Sequence, residues 1–344
     1  MSGPCDDAAS ERHGSRTREN TLKRLLTIAA AFGLSIGAAA AQGYPQRPIT
    51  MIVPFAAGGP TDIVARIVGD NMSRTLGQQI VVENVAGAGG TTGITRAAGA
   101  APDGYTIMMG HMGTHGAAPA LYPNLKYDPA KSFDPIGMAA GTPIIIVGKK
   151  DYPAADLKAF LASLKANDTK TNMAHAGVGS VSHSTGVLFA SVVAIKPTMV
   201  AYRGTGPALN DLMSGQVDFM TDQIVNVAPQ ITGGTIKAYA IATPQRSPAL
   251  PDVPTTKEAG LDGYEVSAWN AVFGPKGLPQ DVRAKLVDAL SKALSDENTR
   301  KRLLDLGGVI PEGADRGPDA LQKLVESEVA RWTPVLKAAG AVGN

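Results

Sequence analysis

Residues Ile49–Leu76 read ITMIVPFAAGGPTDIVARIVGDNMSRTL, and this stretch decides the fold class. Its first part, Ile49–Phe55, is mostly apolar and reads as a short buried strand. Ala56-Ala57-Gly58-Gly59-Pro60 is a turn. Thr61 or Asp62 caps a helix running to Leu76, with Ile63, Ile67, Val68 and Met72 on one face. A buried strand, a glycine turn and an amphipathic helix make one unit of a parallel sheet covered by helices.

The same rhythm continues outward. Ile80–Glu83 is a strand, Asn84–Gly90 a second glycine-rich turn, Thr91–Ala98 a short helix and Thr106–Met109 a strand. Ile144–Gly148 is a further buried strand. Beyond it Asp156 caps a helix ending near Ala166, and Asn172–Ala174 is a strand. Gly177–Ser180 is a turn and Ser182–Val193 a helix. Thr198–Ala201 is a strand, Arg203–Gly206 a turn and Pro207–Met213 a helix. Val217–Thr221 and Ile236–Ala242 are strands. Beyond Trp269 the chain reads as mostly helical, with helices over Gln280–Leu294, Glu297–Leu306 and Pro318–Ala338. Leu321, Leu324, Val325, Val329, Trp332 and Leu336 stripe the last one for core packing.

Two such blocks predict an α/β chain of two domains, each a mostly parallel sheet flanked by helices. The first spans 44–145 and is rejoined by the C-terminal helices, 268–344. The second spans 146–267. At 344 residues, 44% hydrophobic and 18% charged, the chain suits this size and is far from disordered composition.

The first forty residues are an address. Arg12, Arg16, Arg18, Lys23 and Arg24 precede the apolar run Leu25–Ala41, which ends in Ala39-Ala40-Ala41. This predicts a signal peptide, residues 1–41, cleaved near Ala41 on export to the periplasm. The single cysteine, Cys5, lies within it, which removes disulfides, thiolate metal sites and Cys nucleophiles. The net charge is +2 with no basic stripe, so nucleic acid is not an expected partner.

The chemistry lies in four turns of one design: strand, glycines, hydroxyl residue, helix. They are Phe55–Asp62, Asn84–Thr91, Ala176–His183 and Tyr202–Pro207. Ligands of parallel α/β sheets sit at the carboxyl ends of strands, where such turns lie. Helix starts offer unpaired N–H groups and a partial positive charge, and glycine admits a ligand to the backbone. Together they predict anion pockets that need no Lys or Arg. The glycines solving only turn geometry is the plainer reading of any single turn.

Other site types fail on the letters. No G-x-x-x-x-G-K-[ST] occurs, and Gly87–Thr92 misses the dinucleotide fingerprint. No cofactor is implied. His111 and His115 are four apart, but Gly113 and Gly116 argue against a helix aligning them on a metal. Ser184 lacks the glycine of a nucleophile elbow. Asp62 and Asp222 fit helix capping and turn bonding better than acid–base work.

Several motifs, in order, carry a resemblance: YPQRPI (Tyr44–Ile49), VPFAAGGPTD (Val53–Asp62), ENVAGAGG (Glu83–Gly90) and PDGYT (Pro102–Thr106). PALY (Pro119–Tyr122), GVGSVSH (Gly177–His183), YRGTGPALNDL (Tyr202–Leu212) and GQVD (Gly215–Asp218) follow. The chain from Tyr44 to about Gly340 resembles the Bug-type solute receptors of tripartite tricarboxylate transporters. The resemblance implies a two-domain periplasmic binding protein closing on a small carboxylate, a di- or tricarboxylate or an aromatic acid. Amides and hydroxyls of the loops matching Phe55–Asp62 and Gly177–His183 would hold it. Many relatives carry an asparagine where this chain has Ala118. A monomer that presents its closed form to membrane permease subunits is the expected assembly.

On these grounds the candidate ligand-binding residues are Phe55, Gly58, Gly59, Thr61, Asp62, Gly87, Gly89 and Thr114 from the first domain. Gly179, Ser180, His183, Tyr202, Gly204 and Asp222 come from the second. The protein is expected to be no enzyme. Two other readings share these residues: a secreted hydrolase or lyase using Ser180, His183 and Asp222, and a sensory receptor serving a signalling protein.

Overall fold

The computed structural model describes residues 43–340. The signal segment 1–41, its cleavage site and Cys5 lie outside the described residues. The contacts divide the chain after Gln46, and the architecture below belongs to the unit from Arg47 onward.

Nine strands are described: β1 (Ile49–Val53), β2 (Ile80–Asn84), β3 (Thr106–His111), β4 (Phe133–Lys149), β5 (Asn172–His175), β6 (Thr198–Ala201), β7 (Phe219–Gln223), β8 (Ile236–Ile241) and β9 (Ser267–Pro275). They run in the order β2-β1-β3-β9-β4-β7-β5-β6, with β8 also on β4. The long β4 joins two sheets. Phe133–Pro143 pairs with β9, and Ile144–Lys149 pairs with β7 and β8. Each lobe of the two-lobed α/β fold is built on one of these sheets.

The helices are α1 (Pro60–Leu76), α2 (Thr91–Ala98), α3 (Leu157–Ala166), α4 (Val181–Val193), α5 (Thr205–Met213), α6 (Ile224–Thr232), α7 (Gln280–Ser295), α8 (Glu297–Asp305) and α9 (Pro318–Ala338). The first strand–turn–helix unit forms as its letters require. Met51, Ile52 and Val53 are buried in β1, and Val64, Ile67, Val68 and Met72 are buried on α1. The helix begins at Pro60 with Gly59 as N-cap, two or three residues before the expected caps Thr61 and Asp62. A proline at the first helical position loses no hydrogen bond, so the turn yields Pro60 to the helix. Gly77 ends α1 at φ 68°, the left-handed conformation glycine adopts without strain.

The strand–turn–helix units pair parallel: β1 with β2 and β3, β5 with β6 and β7. The remaining ladders, β3–β9 and β4 with β7, β8 and β9, are antiparallel, so the sheets are mixed rather than mostly parallel. The difference comes from β4 and β9, the strands that run between the lobes.

Both are longer in the structure than their letters suggest. Pro135, Gly137, Gly141 and Pro143 interrupt the apolar pattern of β4, and register shifts fall between Pro135 and Gly137 and between Met138 and Ala140. Beyond Trp269 the chain stays extended to Pro275 before the helices begin. Helix α6 was not anticipated because Pro229 sits inside it.

The C-terminal helix returns to the first lobe. Leu321, Val325, Trp332 and Leu336 are its buried face. The buried Glu328 accepts from the indole N–H of Trp332 at 3.1 Å and of Trp269, on β9, at 3.2 Å. That clamp ties α9 to the sheet. No described helix is long and apolar enough to cross a membrane.

Candidate functional site

Three helix starts converge on one cleft. α1, α4 and α5 each follow a strand end and a glycine-bearing turn. The cleft is lined by Phe55, Gly59, Pro60, Thr61 and His111 from one side and by Ala176, Ser180, Val181, Ser182, Thr205 and Gln223 from the other. Its atom-free space is about 270 Å³, part of it open to solvent.

The free amides can be named. In α1 the first backbone bond is from Ile63 N–H to Gly59 O at 2.9 Å, which leaves the Thr61 and Asp62 N–H groups without an acceptor. In α4 Ser184 N–H bonds Ser180 O at 3.0 Å and His183 N–H bonds Ser180 Oγ at 3.2 Å, leaving those of Val181 and Ser182. In α5 Thr205 N–H is likewise free. These are the unsatisfied donors of helix N-termini, each backed by the helix dipole. None of the lining residues is Lys, Arg, Asp or Glu. An anion placed here meets neutral donors on both sides.

Of the fourteen expected residues, four lie on the cleft wall: Phe55, Gly59, Thr61 and Ser180. The others hold the loops. The Asp62 carboxylate accepts from Gly58 N–H, Asn84 Nδ2 and Arg66 Nε, all at 2.9 Å. Burial raises its pKa, but these bonds outweigh burial and hold it below the usual carboxylate range. Asp62 therefore locks the first loop to the second through Asn84.

Thr114 is fully buried in a π-helical turn, Gly113–Ala117, which continues into the α-turn Ala118–Leu121. Its hydroxyl bonds the His111 backbone and lies 2.9 Å from His115 Nδ1. The glycines that argued against a helix there admit close neighbours: a Cβ on Gly113 would come within 2.6 Å of Gly179 O. The Tyr202 hydroxyl donates to Asp211 at 2.6 Å, which together with burial pushes its pKa up to about 12. Gly87 packs against Thr92.

Gly89, Gly179 and Gly204 form the seam between the lobes. A Cβ on Gly89 would sit 1.7 Å from Val178 O, one on Gly179 3.0 Å from the Tyr122 ring and one on Gly204 3.1 Å from Ala56 N. Hydrogen bonds cross the same seam, from Ala56 N–H to Arg203 O at 3.1 Å and from Tyr122 hydroxyl to Val178 O at 2.7 Å. The two lobes therefore touch along this seam.

The hydrolase geometry is not assembled. Ser180 Oγ receives the His183 backbone N–H, and His183 Nδ1 accepts from Gly179 N–H at 3.3 Å. Asp222 is fully buried at the end of β7 and bonds Asn226. Burial pushes its pKa up to about 7, against hydrogen bonds from Asn226, the Gln223 amide and Thr205. Among the described residues no hydrogen bond joins the His183 ring to Asp222 or to Ser180 Oγ. The histidines are held neutral: burial lowers His111 and His115 to about 3, and burial with the neighbouring His175 lowers His183 to about 4.

Sequence reasoning missed His111, Ser182, Thr205 and Gln223. One signal was visible. His111-Met112-Gly113 and His175-Ala176-Gly177 each place a histidine at a strand end, its Nδ1 accepting the N–H two residues on, at 2.8 and 3.1 Å.

Comparisons with known proteins agree with this geometry. The model of the tripartite tricarboxylate transporter family receptor matches residues 64–341. The structure of MatC from Rhodopseudomonas palustris with bound malate is 47% identical, covering 85% of this chain and 100% of that one, with a TM-score of 0.83. The periplasmic binding protein BugD is 43% identical, covering 88% and 100%, with a TM-score of 0.84. Another R. palustris protein, solved with adipate, is 31% identical, covering 87% and 99%, with a TM-score of 0.83. A family model over most of its length and a cleft of neutral donors place the chain together: it belongs to the tripartite tricarboxylate transporter receptor family, as a Bug-type solute-binding receptor and not an enzyme.

Proposed function

We propose that the chain captures a small dicarboxylate in the cleft between its lobes, in the periplasm, and presents it to the permease subunits of a tripartite transporter. One observation carries the reading: free amides at the starts of α1, α4 and α5 face a cavity with no charged side chain. Hydrogen bonds to an ionised acceptor are the strong kind, and a closed cleft excludes the water that would compete. The relative solved with malate supports the class of ligand.

In this reading Thr61 and Ser180 touch the acid, with Gly59 and Phe55 shaping the wall. Gly58, Asp62, Gly87 and Thr114 hold the first-lobe loops. Gly89, Gly179 and Gly204 permit closure, and His183, Tyr202 and Asp222 support the second lobe. The lobes correspond to 44–145 with 268–344 and to 146–267. The chain is exported with cleavage near Ala41 and works as a monomer. Closure on the acid shifts an open–closed population that the permease reads.

A thermal-shift screen against mono-, di- and tricarboxylates tests this. A ligand at 100 times its Kd stabilises by about 2.7 kcal/mol. A melting shift with a short dicarboxylate is the expected result. No shift with any acid at millimolar concentration would overturn the proposal.

A further inference from the structure

Two side chains on the cleft wall do something the amides cannot: they read the carbon chain between the carboxylates. Gln223 ends β7 and is 3% exposed. Its Oε1 accepts from Thr142 Oγ1 at 2.7 Å and from Asn270 Nδ2 at 3.0 Å. Among the described residues its Nε2 makes no hydrogen bond, and Gln223 lines the cavity. The orientation of this amide is set by its neighbours. As placed, one buried oxygen, Asn270 Oδ1, is unpaired. Turning both amides over would bury two unpaired N–H groups of Asn270 in its place, the costlier arrangement.

His111 ends β3, directly across the β3–β9 ladder from Asn270. It is 1% exposed and its ring stacks on Phe55 at 4.9 Å. Its Nδ1 accepts from Gly113 N–H at 2.8 Å and Thr114 N–H at 3.2 Å. An imidazole nitrogen that accepts twice carries no proton, so the proton is on Nε2, which makes no hydrogen bond among the described residues. His111, Asn270, Thr142 and Gln223 thus form one buried polar row from the first sheet to the second, whose two end residues line the cleft and carry N–H donors.

No carboxylate opposes them. Asp62 is saturated by its own loop; Asp222 sits behind the wall, where it accepts from Asn226, the Gln223 amide and Thr205, and neither carboxylate lines the cleft. The hydroxyls of Ser180 and Ser182 already accept backbone N–H groups, from His183 and Ala176.

Building on the proposed capture of a dicarboxylate, we infer that this cleft selects acids bearing hydrogen, a hydroxyl or a keto oxygen beside the carboxylate and rejects those bearing an ammonium, with Gln223 as the specificity-determining residue. An ammonium set against the N–H groups of Gln223 and His111 would be a buried cation facing donors, with no anionic partner. Sites that pair a ligand group by hydrogen bonds reject mismatched analogues strongly, by about 100-fold or more.

The test is titration calorimetry of the mature protein and its Gln223→Glu variant with succinate, L-malate and L-aspartate at neutral pH. A glutamate at this position still accepts from Thr142 and Asn270, so the buried row survives, while the donor facing the cavity becomes an acceptor. The wild-type protein is expected to bind succinate or L-malate at least about 100-fold more tightly than L-aspartate. In the variant that preference should collapse, through weaker succinate and malate binding with an unchanged circular dichroism spectrum. Wild-type protein that binds aspartate as well as malate overturns the inference and leaves dicarboxylate capture standing. A folded variant that keeps the wild-type preference overturns the role of Gln223. If wild-type protein binds no acid at all, both readings fall. Should the variant not fold, the wild-type ratio alone still decides the selectivity.

Discussion

Gly89→Ala should prevent full closure while leaving both lobes folded. Gly89 follows β2 in the first lobe and meets Val178 O, which follows β5 in the second. The added Cβ would lie 1.7 Å from that oxygen, where real Cβ atoms stay beyond about 3.0 Å. The loops must therefore part by more than 1 Å. Val178 O cannot simply turn away, because it accepts the Tyr122 hydroxyl at 2.7 Å. Overpacking of this size costs about 1–3 kcal/mol. It is felt only in the closed form, so it appears as affinity, about 5- to 150-fold weaker. A second cost is local: Gly89 has φ +59°, and a left-handed alanine costs about 1–2 kcal/mol. Gly77→Ala separates the two, since Gly77 has φ +68° with nothing within 4 Å of a Cβ. Calorimetry with succinate or L-malate should show weak binding by Gly89→Ala and normal binding by Gly77→Ala, with similar losses of melting temperature. If Gly89→Ala binds like wild type, the glycine seam does not govern closure.

Three further outcomes follow from named contacts. Ser180→Ala removes both the cap on His183 N–H and a cleft hydroxyl; melting should fall by about 1 kcal/mol and affinity by about 1–3 kcal/mol, and a loss of stability alone would take Ser180 off the ligand. Asp62→Asn should destabilise at neutral pH by about 1–3 kcal/mol, discounted because Arg66 is half exposed. The folded pKa of Asp62 is depressed, so its contribution is present above the ordinary value of 3.8 and lost as pH falls through the folded value; denaturant melts should show the gap between variant and wild type closing in acid. Asp222 runs the other way. Its pKa rises from 3.8 to about 7, so the unfolded chain gives up this proton first and stability drains as pH climbs between those values. Asp222→Asn should flatten that decline and raise the melting temperature at pH 8; an unchanged pH profile would show that Asp222 ionises normally.

What was legible was local. A strand end, glycines and a hydroxyl residue before an apolar-striped helix mark the starts of α1, α4 and α5 within a dozen residues each, and those starts build the cleft. What was hidden depends on strand register. Gln223 earns no attention as a letter, and His111 only as half of a rejected metal pair; they matter because β3 lies beside β9 at Asn270 and because Gln223 pairs with Ile144 of β4. Tyr202 misled for the same reason, since only the packing of α5 shows its hydroxyl turned to Asp211. The glycines were recognised for the right property, backbone access, but Gly89 and Gly204 use it for lobe meeting lobe. β9 was lost because the expected helices begin only five residues after it ends.

The most direct measurement is a crystal structure of the protein with the acid that shifts its melting most. Carboxylate oxygens should lie about 2.7–3.2 Å from free amides of the three helix starts, among them Thr61, Ser182 and Thr205. No lysine or arginine should approach them. An acid paired with a cationic side chain, or seated outside this cleft, would contradict the account.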